Sequence, residues 1–312
     1  MSETARFPVL DAPADSPWEW LSEVAADIAG HLPVHGAVLV HDLPIALPDD
    51  LARAREALGV AVHRPTEAFN HRTDFGNGVQ APISWPAERS ICCFQECSYS
   101  TTFPSVVLTA CITPPESGQA HLSDTRRIPD HLPARLVDHV RAKGWAMSRV
   151  FHDGFGLSAQ DAFFAADRAG LEKSLGALDI DYDWLPGGSL RTTRRRPGVV
   201  RHPVTGEECW FNQLVFLNSK SLDPGERLVM ANAFGEDLPM DTFFGDGSTL
   251  PEEDWTAIYR AYESTTTEVT WRRGDLLITD NVITAQGRSS FEGSHEFLVS
   301  LGGEIEGRRI QA

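Results

Sequence analysis

The spacing of apolar side chains changes character near residue 88. Before it, residues 17–31 (PWEWLSEVAADIAGH) place apolar positions at helical spacing after Ser16, a candidate N-cap. HGAVLVHDLP (35–44) then reads as a buried strand, and residues 49–58 as a second helix. Beyond residue 88 come short apolar runs bounded by Pro, Gly, Ser and Asp: SICCFQECSYS, SVVLTACITPP, VVRHPVTGEECWFNQLVFL, TTTEVTWRRGDLLITDN and HEFLVSLGG. Many alternate with period two, as strands do. Between them, residues 131–175 and 223–262 carry helical patterns such as LPARLVDHVRAKG and PEEDWTAIYRAY. Helices followed by strands with helical insertions predict an α+β, mainly β protein, with one sandwich or barrel core and helices packed outside. No internal repeat or linker interrupts the pattern, so residues 1–312 are expected to form one domain.

Composition narrows the function classes. With 42% hydrophobic and 23% charged residues over 312 positions, the chain can bury a core without staples. No run approaches the roughly 18 uncharged apolar residues of a membrane span. MSETARFPVL lacks a basic start followed by an apolar stretch, so a cytoplasmic location is expected. Five cysteines (Cys92, Cys93, Cys97, Cys111, Cys209), without a Cys-x-x-Cys pair, suit neither a disulfide framework nor a zinc ribbon. A net charge of −17 repels nucleic-acid phosphates. The expected partner is a small molecule, not nucleic acid or membrane; whether the chain forms a homo-oligomer is not legible. The one basic run, Arg191 with Arg194, Arg195 and Arg196, reads as a solvated hairpin, with a substrate-anion contact as the alternative.

Four segments in order carry a resemblance. They are QECSY (95–99), FPSVVLTACITPPESGQAHLSDTRRI (103–128), HPVTGEECWFNQ (202–213) and GDLLITDNVITAQGRSSFEG (274–293). Together the chain resembles the taurine dioxygenase/clavaminate synthase-like iron(II)/2-oxoglutarate oxygenases, from about residue 35 to residue 303. The resemblance implies a double-stranded β-helix, a jelly-roll of cupin type, whose mouth holds the cofactors. Chemistry in that family needs two imidazoles and one carboxylate on one face of an iron ion. Its His-x-Glu-x-Ser-Tyr pattern matches Phe94-Gln95-Glu96-Cys97-Ser98-Tyr99, so the carboxylate is kept as Glu96 while an imidazole position holds Phe94. The distal histidine of Asp-Asn-(x)4-His-Gly-Arg falls on Gln286, between Asp280-Asn281 and Gly287-Arg288.

The co-substrate motifs differ as well. Where the family has a threonine hydroxyl, Ser117-Gly118-Gln119 leads to Ala120. Where it has a carboxylate-clamping arginine, the chain has His295-Glu296-Phe297-Leu298, with no Lys or Arg between Arg288 and Arg308. An unpaired buried carboxylate costs about 3–5 kcal/mol, on the order of a hundredfold or more in affinity. The expectation from these matches is that iron and 2-oxoglutarate are both absent, with no metal ligands.

Strand parity then predicts that Cys92, Phe94, Glu96 and Ser98 share one face. A desolvated Glu96 would suit general acid or base work, or else be satisfied by Arg288 or Gln286. Glu96, Arg288 and Gln286 are the catalytic candidates, and Phe94, Tyr99, Asn212 and His295 the substrate-contacting ones. Each has a structural alternative: core packing for Gln286 and Asn212, an ion pair for Arg288, strand anchoring for Tyr99, and an exposed strand position for His295. A metal pair of His121 and Asp124 and a nucleophilic thiol among Cys92, Cys93 and Cys97 are weaker readings. His35, His41, His152 and His202 read as surface or capping residues. Three function classes follow: a cofactor-independent tailoring enzyme doing cyclisation, elimination, isomerisation or C–C cleavage; a non-catalytic scaffold; and an oxygenase with an unusual ligand set. Residues 60–88 (FNHRTDFGNGVQ within them) read as a mobile lid.

Overall fold

Leu276–Asp280 is buried along its whole length, the signature of a strand covered on both faces. It sits inside a seven-stranded sheet between Ala37–His41 and Val106–Thr113. Glu296–Gly302 continues that sheet beyond Val106–Thr113, antiparallel to it. The structure, a computed structural model, describes residues 7–310. A second, four-stranded sheet runs Thr266–Val269, Ala120–Asp124, Thr284–Arg288, Ile91–Phe94. Leu277, Cys111 and Phe291 pack with Ala120, Leu122 and Val269, filling the space between the two sheets. The chain therefore has the expected jelly-roll core in an α+β setting.

The first two helices, Pro17–Glu23 and Ala25–His35, cover the larger sheet with Pro48–Ala57. One continuous helix was expected over 17–31; it breaks at Val24, whose backbone leaves the helical range. Ser16 makes no side-chain cap bond and sits in the left-handed region at φ 54°, leaving Pro17 to start the helix.

The region 131–262 differs more. Its helical patterns are real, at Ala134–Lys143, Arg168–Ala177, Pro224–Phe234 and Glu252–Thr265. Between them lies a third sheet, in the order Asp181–Trp184, Leu190–Arg196, Trp145–Phe151, Met240–Phe244. The basic run is part of it. Arg194 is buried and Arg196 donates to the carbonyls of Tyr99 and Leu178, so the solvated-hairpin reading is corrected. Alternation placed Thr192 and Arg194 inward and Arg195 outward.

His41 and the surface half of the His202 reading are also corrected; His202 does cap a turn, its Nδ1 accepting from Thr205 N–H at 3.1 Å. Both are buried against carboxylates, His41 2.7 Å from Asp275 and His202 2.9 Å from Asp280. Among the described residues no helix is long and apolar enough to cross a membrane.

Candidate active site

Two strands bring the matched motifs together. Gln286 pairs with Phe94, and the next register point joins Arg288 to Ile91, so the Ile91–Phe94 strand carries one extra residue. That bulge overturns simple parity. Ile91, Phe94 and Glu96 line a cavity of about 430 Å³ between the sheets, whereas Cys92 turns away toward the core. The strand ends at Phe94, and Ser98 is buried, bonded to the Gln213 amide rather than facing the cavity. Gly287 makes the bulge fit, because a Cβ there would lie 2.4 Å from the Ile91 carbonyl oxygen.

Glu96 is fixed from two sides. Its backbone N–H donates to Asn281 Oδ1 at 2.8 Å, and Asn281 Nδ2 donates back to its carbonyl at 2.9 Å. Its carboxylate accepts Arg72 Nη2 at 3.0 and 3.2 Å, with both side chains only 14% exposed. The partner is thus neither Arg288 nor Gln286. The chain reverses directly afterwards at Cys97, a non-glycine residue at φ 57°, which costs roughly 1–2 kcal/mol. Such strain often marks a site whose geometry is imposed.

The other candidates separate. Gln286 lines the cavity and donates to Thr279 Oγ1 at 2.8 Å. Phe94 stacks on Phe216, centroids 4.3 Å apart. Arg288 lines the cavity too, but its guanidinium donates to the carbonyls of Pro86, Ala87, Arg89 and Ser289 and lies over the Phe291 ring. It anchors the 85–90 loop. His295 lies at the rim beside Phe291 and Phe297. Asn212 is not brought to the cavity: it is buried, donating to Gly198 and accepting from Leu214 N–H, and its role is to hold a turn. Tyr99 lines a second cavity on the far side of Glu96, where burial pushes its phenol well above its ordinary pKa and keeps it protonated.

Weaker readings also find their places. His121 faces Glu268 at 3.8 Å, and Asp124 is bonded to Arg126, so they form no pair. Burial pushes the Cys93 and Cys97 thiols up to about 12, and Cys92 well above its usual value, which leaves no thiolate nucleophile.

Sequence reading missed two features. Arg72, in the 60–88 lid, carries no motif that announces it. Glu67, from the same segment, is buried between Arg149 and Arg194 of the third sheet. Burial opposes its charge, yet the two guanidiniums outweigh this and hold its carboxyl below the usual range.

The family model of the "Taurine catabolism dioxygenase TauD, TfdA family" matches residues 5–301. The "Dapdiamide synthesis protein DdaC" of Enterobacter agglomerans is 30% identical over 237 residues, covering 75% of this chain and 72% of that one. A "Clavaminate synthase-like protein" of Arabidopsis thaliana is 23% identical over 283 residues, 85% of this chain and 81% of its own. An asparagine oxygenase solved with Fe(II), 3-hydroxyasparagine and succinate superposes with a TM-score of 0.53 at 14% identity, covering 92% and 82% of the two chains. PvcB, described as an Fe, alpha-ketoglutarate dependent oxygenase from an isonitrile synthetic pathway, gives 0.50 at 14% identity over 98% and 91%.

The family match corrects the expectation that iron and 2-oxoglutarate are absent, since membership of this dioxygenase family points to both as the cofactors. The side chains at this position fit them poorly. Phe94 has no lone pair to donate, Gln286 offers an amide oxygen, and Glu96 is already bonded to Arg72. The wall that would face 2-oxoglutarate is largely apolar, with Ala120, Leu122, Leu277 and Trp271. Match length, order of motifs and fold nevertheless agree: the chain belongs to the TauD/TfdA family of dioxygenases.

Proposed function

We propose that this chain is a tailoring enzyme of small-molecule biosynthesis that acts on a small polar, amino-acid- or polyketide-derived intermediate by moving a proton at Glu96. One observation carries the reading: a mostly buried carboxylate, held by Arg72 and by the Asn281 clamp, stands where two cavities meet. DdaC, named for dapdiamide synthesis, and PvcB, from an isonitrile pathway, support a biosynthetic setting. Substrate in the 430 Å³ cavity would lie against Phe94, with the Gln286 amide oxygen free to accept from its N–H or O–H. Glu96 takes a proton from a position next to a carbonyl. It then returns the proton at another atom of the same substrate. Such a transfer serves cyclisation, elimination, isomerisation or C–C cleavage. His295 at the rim and the Arg288-anchored loop close over the substrate.

Family membership favours a second reading, an iron(II)/2-oxoglutarate oxygenase with an unusual ligand set that includes Glu96 and Gln286. Oxygen uptake and succinate formation, measured on purified protein with ferrous iron, 2-oxoglutarate and candidate intermediates, separate the two. Coupled succinate formation would sink the proton-transfer reading. Conversion of an intermediate with neither signal, abolished by Glu96→Gln, supports it.

A further inference from the structure

We propose that the polar cavity beneath residues 62–80 is a binding site for a small carboxylate bearing an N–H group, such as an N-acyl amino acid, held by Arg72 and His63. It deepens the reading of Glu96 by saying where the acid end of its ligand sits. This cavity, about 690 Å³, shares Glu96 with the first one.

His63 lines it and is only 4% exposed, yet among the described residues neither ring nitrogen has a hydrogen-bond partner. The nearest carboxylate, Glu304, is 3.7 Å away, beyond hydrogen-bond reach. Two buried, unmatched ring nitrogens are costly unless something in the cavity bonds them. Asn70 Oδ1, on the same wall, is also buried and without a partner among the described residues, an acceptor open to an N–H.

Arg72 supplies the charge. Only its Nη2 is engaged, by Glu96, so among the described residues Nε and Nη1 have no partner. Guanidinium N–H groups bond carboxylates with charge assistance. The acids lining the cavity are already occupied: Glu67 by Arg149 and Arg194, Glu96 by Arg72, and Glu56 by Arg55. Asp74 accepts from Gly76 N–H, and Arg64, exposed at the rim, makes no ion pair among the described residues. Asp74 keeps its charge and offsets Arg64, so what is left over is a surplus of N–H donors on Arg72 and His63, which suits a carboxylate with a donor beside it.

Calorimetric titration of the full chain with N-acetylglycine, and with neutral acetamide as control, tests this. Binding of N-acetylglycine alone is expected, weakened roughly tenfold or more by Arg72→Gln and by His63→Gln, and partly recovered in Arg72→Lys. Ile83→Trp, which fills part of the other cavity, should leave it unchanged. No binding, or wild-type affinity in both the Arg72→Gln and His63→Gln proteins, overturns the proposal. Binding that Ile83→Trp weakens and the other two leave intact places the ligand in the first cavity, which overturns this site while leaving the Glu96 reading standing.

Discussion

Glu67 shows how one residue can tie the lid to the body of the molecule. Its carboxylate is bonded by Arg149 and by Arg194, both buried. Arg194→Met would leave this charge half-compensated, and breaking a buried pair costs about 3–5 kcal/mol; a fall in unfolding free energy of that size should be seen by urea titration. The acid limb of stability follows from the same residue. Glu67 holds its proton less readily folded than unfolded, so acidification favours the unfolded state. The stabilisation is complete above the ordinary carboxylate pKa of about 4.3 and is lost as pH falls through the lower, folded value. Denaturation at pH 3 to 6 should show this slope in the wild type and a shallower one in Glu67→Gln. Motif matching identified Glu96 but not its partner, because Arg72 reaches it from a loop 24 residues earlier in sequence, where no periodicity applies.

At the level of elements, the bulge in Ile91–Phe94 decides what faces the cavity. Parity alone put Cys92 with Phe94, since a period of two cannot reveal an extra residue. The strands carrying apolar alternation were legible: Ala37–His41, Val106–Thr113, Leu276–Asp280 and Glu296–Gly302 all fall within the runs named from sequence. The third sheet was not, because Leu190–Arg196 has four arginines and its inward positions include Thr192 and Arg194. Charge masked its strand character. Gly287→Ala tests the bulge directly. The added methyl meets the Ile91 carbonyl, and overpacking of this kind costs about 1–3 kcal/mol. Thermal unfolding should show the loss, accompanied by reduced turnover as Phe94 and Glu96 shift. Arg288→Ala should instead spare the sheets and loosen residues 85–90, seen as faster amide exchange confined to that loop.

The whole molecule places two cavities on either side of one carboxylate, with jelly-roll sheets behind and the 60–90 segment above. Four short motifs spread from residue 95 to residue 293 were enough to read this fold and family, because their order is that of the family. They were not enough to read the cofactors, since a substitution at a matched position removes one donor and says nothing of what the family as a whole employs. The central claim is that Glu96 is the working group. Its most direct test is the turnover of an accepted amino-acid- or polyketide-derived intermediate by wild-type and Glu96→Gln protein, with ferrous iron and 2-oxoglutarate supplied in parallel reactions. Glu96→Gln keeps the shape of the side chain and removes its proton-accepting charge, so turnover should fall on the order of a hundredfold or more while substrate affinity changes little. Equal turnover by the two proteins would contradict the account.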